Sequence, residues 1–252
     1  MRRKYVAGNW KMNLNLAKAR ALVEGLKAKV SRDVPVDLAV FPPFTLLLPM
    51  AEAVKGSPIK LGAQNCYFEA EGAFTGEVSP GMLLDAGCES VIIGHSERRH
   101  ILGEAGALLK KKVVAALGAG LKVIYCVGEK LDEREAGRTE AVLHQQIHDV
   151  LGPDVSLANV VIAYEPVWAI GTGKTATPAQ AQEAHAYIRQ EVAKLYNSQA
   201  AASLRIQYGG SVKASNAREL MTQPDVDGAL VGGASLKVDE FVGIIEGAAA
   251  AR

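Results

Sequence analysis

The sequence predicts an α/β protein that folds as one (β/α)8 barrel, eight parallel strands surrounded by helices, over residues 1–252. Three observations support this fold class. Eight short apolar runs recur along the whole chain, amphipathic helical patterns separate them, and their spacing is regular. The runs start between residues 5 and 228. They therefore recur about every 32 residues, the length of one strand plus one helix.

The eight runs are nearly continuously apolar and rich in β-branched residues. Such strands belong in a parallel sheet that is covered on both faces. The predicted strands are residues 5–9, 36–40, 59–63, 90–94, 122–126, 160–164, 205–208 and 228–231.

The segments between the strands include four clear helical patterns, at residues 16–30, 104–117, 135–151 and 178–196. In the first pattern, Ala19, Leu22, Val23 and Leu26 repeat at helical spacing. Thr177-Pro178 is typical of a helix cap followed by the first turn.

The composition is that of an ordinary globular protein, with a formal net charge of +1. This balance gives no electrostatic reason to expect nucleic acid or a membrane as a partner. The three cysteines are widely spaced and form no C-x-x-C motif, and the basic start lacks a signal-peptide core. We therefore expect a cytoplasmic protein.

Polar and glycine-rich clusters follow five of the predicted strands, at the face where barrels of this kind hold their active sites. Residues far apart in the sequence should therefore converge on one mouth. The clusters are Asn9 and Lys11 after strand one, His95 and Glu97 after strand four, Glu165 after strand six, Gly209-Gly210-Ser211 after strand seven, and Gly232-Gly233 after strand eight.

The segment after strand six predicts a lid that closes over a reaction. It begins with the carboxylate of Glu165, and Pro166 stiffens the exit from the strand. Trp168 and Ile170 are large apolar residues on a loop, and Gly171 begins its glycine-rich tip. A base, a hinge and an apolar flap thus lie in one segment.

The other clusters indicate an electrophile and a phosphate site. His95 opens a short predicted helix, whose amino terminus disfavours a protonated imidazole, so this ring should be neutral and able to donate a hydrogen bond. The glycine clusters offer backbone N–H groups to an anion. Together they predict a small phosphorylated substrate.

Three further motifs carry less weight. Gly171–Thr175 ends like a Walker A loop, but Trp168 occupies the position of the first glycine. The same residues fit a dinucleotide fingerprint, but they do not directly follow a strand. His144 and His148 have the spacing of a zinc pair, yet Gln145 replaces the catalytic Glu of that motif. We expect both histidines on an exposed helix face and no metal site.

From the residues alone, two other functions stay open. A non-catalytic barrel could bind a phosphorylated metabolite with the same glycines, although it would not need both Glu165 and His95. Another phosphosugar isomerase or aldolase could use the same architecture. A Schiff-base aldolase needs a desolvated lysine in a strand, and neither Lys60 nor Lys122 has suitable neighbours.

Seven separate motifs, spread over essentially the whole chain, resemble the triosephosphate isomerase family. They are GNWKMN from Gly8, GAFTGEVS from Gly72, GHSERR from Gly94, CVGE from Cys126, AYEPVWAIGTGKTATP from Ala163, YGGSV from Tyr208 and DGALVGGASL from Asp227. The resemblance implies cofactor-independent interconversion of dihydroxyacetone phosphate and D-glyceraldehyde 3-phosphate through an enediolate.

The resemblance also implies a role for each site residue, and the family is itself the standard example of a glutamate base working with a neutral histidine. Glu165 would be the base and His95 the electrophile. Lys11, supported by Asn9 and Glu97, would stabilise the enediolate and help to hold the phosphate. The remaining residues would bind phosphate through N–H groups, namely Gly171, Ser211, Gly232 and Gly233, or would form an apolar cage around Glu165, namely Ile170 and Leu230.

The resemblance further implies a homodimer formed through the protruding loop at residues 65–79. Phe74 lies at the tip of this loop, where an aromatic residue suits an anchor in a partner's pocket. Thr75 would then approach Asn9 and Lys11 of the other subunit.

Overall fold

A computed structural model describes residues 2–170 and 175–251, and in it eight parallel strands close into a barrel. Each strand pairs with its neighbours in sequence, and β1 also pairs with β8. The strands are β1 Tyr5–Asn9, β2 Asp37–Phe41, β3 Ile59–Ala63, β4 Ser90–Ile93, β5 Lys122–Val127, β6 Val160–Tyr164, β7 Arg205–Tyr208 and β8 Gly228–Val231.

Helices surround the barrel, and the described residues contain eleven of them. No helix in the described part of the chain is long and apolar enough to cross a membrane. The helices are α1 Leu16–Lys29, α2 Leu47–Val54, α3 Pro80–Asp85, α4 Ser96–His100, α5 Gly106–Gly118, α6 Leu131–Glu135, α7 Thr139–His148, α8 Pro178–Leu195, α9 Ser198–Ser203, α10 Ala214–Met221 and α11 Val238–Ala250.

Side-chain alternation along the strands divides the core into two parts. In β1, Tyr5 and Ala7 belong to a small cluster with Phe41 and Leu230, whereas Val6 belongs to the large one. The small cluster fills the barrel interior, and the large cluster packs the outer strand faces against the helices. Because both strand faces are buried, the strands read as continuous apolar runs.

The predicted strands agree with the structure within one residue at either end, but one predicted helix starts too early. The pattern at residues 135–151 begins at the last residue of α6, continues through the following turn and contains α7. Gly137 lies in that turn with φ of 67°, a left-handed conformation that ends a helix. The predicted helix at residues 104–117 lies at Gly106–Gly118.

Candidate active site

Members of all five predicted strand-end clusters line one cavity of about 280 Å³ at the carboxyl end of the barrel, although Glu97 does not line it. Its small volume suits a metabolite of a few heavy atoms rather than a nucleotide. The lining includes residues that follow five different strands, among them Asn9, Lys11, His95, Glu165, Ile170, Gly209, Gly210, Ser211, Leu230, Gly232 and Gly233.

A buried pair, Glu165 and His95, forms the floor of the cavity. Oε1 of Glu165 lies 3.0 Å from Nε2 of His95. Oε2 of the same carboxylate accepts a hydrogen bond of 2.9 Å from the backbone N–H of Ser96. Glu165 is 2% exposed and His95 is 6% exposed, so bulk water does not screen their interaction.

The hydrogen bonds of His95 determine which ring nitrogen carries the proton. His95 caps helix α4, and its Nδ1 accepts a hydrogen bond of 3.3 Å from the backbone N–H of Glu97. A nitrogen that accepts carries no proton, so the neutral ring is protonated at Nε2. The ring therefore presents an N–H donor to the cavity and to Glu165.

Two glycines allow the neighbouring backbone to approach Glu165 closely. A Cβ at Gly128 would lie 1.7 Å from the Glu165 carbonyl oxygen. A Cβ at Gly209 would lie 2.8 Å from Cγ of Glu165. Both distances are too short for any other residue, so glycine at these positions lets the base lie between the ends of β5 and β7.

Lys11 is held by a set of hydrogen bonds that includes one residue the sequence analysis missed. Its Nζ donates to Oε1 of Glu97 at 2.6 Å, and its backbone N–H donates to Oδ1 of Asn9 at 3.0 Å. Gln64, directly after β3, donates from Nε2 to the carbonyl oxygens of Lys11 and Phe41, each at 2.8 Å. The sequence does contain a signal for Gln64, because it is a polar residue directly after the predicted strand at residues 59–63.

The backbone of Lys11 is strained. Its φ is 52°, in the left-handed region that residues with a side chain rarely adopt. Such a conformation costs on the order of 1–2 kcal/mol and persists only where surrounding contacts impose it. The hydrogen bonds from Gln64 and to Asn9 are those contacts, and they aim the ammonium group at the cavity.

The residues predicted to bind phosphate lie at the side of the cavity formed by β7 and β8. Ser211 follows β7, and Gly232 and Gly233 follow β8, where Gly233 starts a short 3-10 turn at Gly233–Leu236. A Cβ at Gly232 would lie 3.6 Å from Cε of Lys11, so the lysine stem passes close to this backbone. Gly171, the fourth predicted residue, lies outside the described residues.

The start of the predicted lid is attached to Glu129, a second residue that the sequence analysis missed. Its Oε1 accepts hydrogen bonds from Trp168 Nε1 at 2.9 Å, Tyr164 OH at 3.1 Å and Arg134 Nη1 at 3.1 Å. The Arg134 guanidinium also lies 4.8 Å from the Trp168 ring centroid. Glu129 ends the CVGE motif two residues after β5, so its position was a usable signal.

The apolar residues of the predicted lid and cage lie around the same cavity. Pro166 precedes a 3-10 turn at Val167–Ala169, and Ile170 lines the cavity. Leu230 belongs to the barrel interior and lines the cavity from β8. Phe74 and Thr75 are exposed and do not line the cavity, and the Phe74 ring packs 4.7 Å from that of Tyr67.

The chain is similar in sequence to known triosephosphate isomerases. A sequence model of the family "Triosephosphate isomerase" matches residues 4–248. The chain is 52% identical over 252 residues to a triosephosphate isomerase of Rhodopirellula baltica, covering 99% of each chain. It is 55% identical over 247 residues to one of Chloroflexus aurantiacus, covering 97% of this chain and 99% of that protein.

Proposed function

The chain belongs to the triosephosphate isomerase family, and on that premise we propose which residues carry out each part of its reaction. The enzyme interconverts dihydroxyacetone phosphate and D-glyceraldehyde 3-phosphate. One observation carries the assignment of roles. A carboxylate and an imidazole lie 3.0 Å apart in a buried cavity that a lysine side chain and two glycine turns also line.

Glu165 is the base. Removing a proton from the carbon next to a carbonyl requires a carboxylate close to that carbon and shielded from water. In the structure, Glu165 is bound to the His95 and Ser96 N–H groups. A substrate carbonyl oxygen that accepts a hydrogen bond from the His95 Nε2–H replaces Oε1 of Glu165 as the acceptor. The carboxylate is then free to face the substrate carbon. Glu165 then returns the proton to the neighbouring carbon, while the hydroxyl proton of the enediolate passes from one oxygen to the other, so that the carbonyl forms at the first carbon.

His95 and Lys11 stabilise the negative charge that develops on the substrate oxygens. His95 donates from Nε2 to the oxygen of the enediolate, and Lys11 lines the same cavity. Asn9 and Glu97 position this ammonium through the hydrogen bonds described above. Donors that are fixed before the reaction stabilise such charge without having to reorganise.

Backbone N–H groups hold the substrate phosphate. Ser211 precedes α10, and Gly232 precedes the 3-10 turn, so their backbone amides can face an anion. Gly233 and Gly171 would add two further N–H groups. Phosphate bound here places the carbonyl end of a three-carbon substrate against His95 and Glu165, across a cavity of about 280 Å³.

The segment that starts at Pro166 closes the cavity. Glu129 holds the Trp168 end of that segment, and Ile170 and Leu230 supply the apolar surface that keeps water from Glu165. Exclusion of water strengthens the electrostatic interactions in the cavity and protects the reactive enediolate.

A coupled assay for isomerisation of D-glyceraldehyde 3-phosphate tests this function. The purified chain should catalyse the reaction after extensive dialysis against a chelator, because no proposed role needs a metal ion or organic cofactor. Glu165→Gln is the matched control, since it keeps the side-chain shape and removes the base. An inactive parent chain, or an equally active Gln variant, would contradict the proposal.

The enzyme acts as a homodimer, through the loops that follow strands β1 to β3. These three strands are neighbours in the barrel, so their carboxyl-end loops lie on one side of it. Each loop region exposes large apolar side chains, which mark an association surface when they cluster. They are Met12 after β1, Phe44 and Leu48 after β2, and Phe74 and Met82 after β3.

Replacing Phe74 with Asp together with Thr75 with Arg should convert the dimer to a monomer, because a charged group would occupy an apolar pocket without a partner. Activity should fall in parallel, since Asn9 and Lys11 lie beside this surface. Sedimentation velocity measures the state of assembly. Val114→Asp, at an exposed apolar residue on α5, is the control. A double variant that stays dimeric, or a fully active monomer, would refute this assembly.

The three cysteines agree with a reducing compartment. Cys66, Cys88 and Cys126 are all buried and none forms a disulfide. Burial raises the pKa of the Cys66 and Cys88 thiols to about 12, so both stay protonated. We propose a cytoplasmic location, the compartment in which buried, reduced cysteines are usual.

A further inference from the structure

Helices α7 and α8 bring together three potential metal ligands on the outside of the barrel. His144 and His148 lie one turn apart on α7, and Glu191 lies on α8, which packs against α7. Their ligand atoms all lie within 4.8 Å of one another. None of the three residues lines the active-site cavity. This group is called the α7–α8 cluster below.

The carboxylate of Glu191 is the centre of the cluster. Its side chain is 2% exposed, and its Oε2 accepts from Nδ1 of His144 at 2.7 Å and from Nε2 of His148 at 3.1 Å. Its Oε1 accepts from Nζ of Lys194. A single carboxylate oxygen therefore faces two imidazole rings, which stack with centroids 3.9 Å apart.

The carboxylate of Glu191 is held by donors on both of its oxygens. The hydrogen bond from Lys194 fixes the orientation of the carboxylate, as outer partners of metal ligands commonly do.

We propose that the α7–α8 cluster binds one divalent transition-metal ion of the zinc type, with His144 Nδ1, His148 Nε2 and Glu191 Oε2 as ligands. Two imidazoles and one carboxylate are a ligand set that Zn²⁺ accepts, with water in the fourth position. The sequence alone argued against a metal here, because Gln145 replaces the catalytic Glu of the H-E-x-x-H motif. The third ligand comes from another helix, 43 residues beyond His148.

Two of the three ligand–ligand distances need only a small adjustment to accept the ion, and the third is at most 4.8 Å. Metal–ligand bonds of about 2.0–2.1 Å in a tetrahedral site separate the ligand atoms by about 3.4 Å. The His144 and His148 nitrogens now lie 2.7 Å and 3.1 Å from Oε2. Each imidazole now donates to Oε2, so on binding its proton must leave the ligating nitrogen for the other ring nitrogen or for water.

Access and charge also suit a cation. The His144 and His148 side chains are 51% and 33% exposed, so the fourth coordination position opens to solvent. Lys194 offsets the charge of Glu191, whereas Glu140, on α7, adds a second negative charge near the cluster. This balance predicts moderate rather than very tight binding.

The bound ion would act as a clamp between α7 and α8. These helices precede and follow β6, the strand that ends at the catalytic base. A ligand that binds only the folded chain raises its stability. At a free ion concentration of about 100 times Kd, we expect Tm to rise by about 5 °C or more.

Titration calorimetry with Zn²⁺, after chelator treatment, tests the site. The parent chain should bind one ion per chain, and Co²⁺ should give the visible absorption of a four-coordinate complex. His144→Gln with His148→Gln, and separately Glu191→Gln, should weaken binding at least about a hundredfold, which removes most of the Tm shift at that ion concentration. Isomerase activity of the double histidine variant should be unchanged, which shows that it is folded.

His100→Gln is the matched control, because it removes an exposed histidine outside the cluster. The buried cysteines offer no competing accessible ligands. Failure of the parent chain to bind Zn²⁺ would mean that the cluster is only a hydrogen-bonded group. Equal binding by the double histidine variant would place the ion elsewhere, for example at His95 and Glu165. Either result overturns the proposal, and neither bears on the isomerase assignment.

Discussion

Replacing Glu165 with Asp is expected to lower kcat by about 10²-fold and to change KM by less than about threefold. The substitution keeps the carboxylate but withdraws it by one methylene, about 1 Å, from a position now 3.0 Å from His95 Nε2. Proton transfer depends steeply on such positioning. The phosphate-binding turns after β7 and β8 are untouched, so substrate binding should persist.

Steady-state kinetics in both directions measure this effect, with inhibition by inorganic phosphate as a separate measure of binding. Glu52→Asp, the same change at an exposed glutamate paired with Lys55, is the control and should keep parental rates. A Glu165→Asp variant with near-parental kcat would remove Glu165 from the proton transfer. Weaker phosphate inhibition would instead indicate a disturbed cavity.

Replacing Lys11 with Met is expected to lower kcat by about 10²- to 10³-fold and also to raise KM. Met has a similar length and lacks the charge, so the developing oxyanion and the phosphate both lose a cation. The fold should survive, because Asn9 and Gln64 hold the Lys11 backbone through groups that the substitution leaves in place. The combined effect distinguishes Lys11 from Glu165, whose loss should affect kcat alone.

Kinetics and phosphate inhibition measure this variant in the same way. Lys55→Met, at an exposed lysine whose only described ion pair is with Glu52, is the matched control. A Lys11→Met variant that keeps more than a tenth of the parental kcat would show that the ammonium is not needed for charge stabilisation. Loss of the folded state, seen by circular dichroism, would show instead that the Lys11–Glu97 pair is structural.

The sequence by itself predicted most of the fold because strand formation here is a local property. Both faces of each strand are buried, so each strand is a continuous apolar run that a reader can find without knowing its partners. The barrel topology then places every strand's carboxyl end at one mouth. This rule was enough to gather Asn9, Lys11, His95, Glu165 and the glycine turns into one predicted cavity.

The error in the predicted helix at residues 135–151 has a local cause. Its apolar periodicity continues across Gly137, and periodicity alone does not register a residue with φ of 67°. The glycine was the available signal, since a left-handed residue is a common helix terminator. Weighing it against the periodicity would have moved the predicted start of this helix from residue 135 to beyond Gly137.

Only the tertiary structure decided the contacts between distant parts of the chain. Glu129 accepts from Trp168, 39 positions away, and Gln64 supports the strained backbone of Lys11, 53 positions away. Glu191 reaches His144 from a different helix, 47 positions away. Such contacts depend on how the closed barrel sets its helices and loops side by side. They leave no periodic trace in the sequence, because each needs only one suitable side chain at one position.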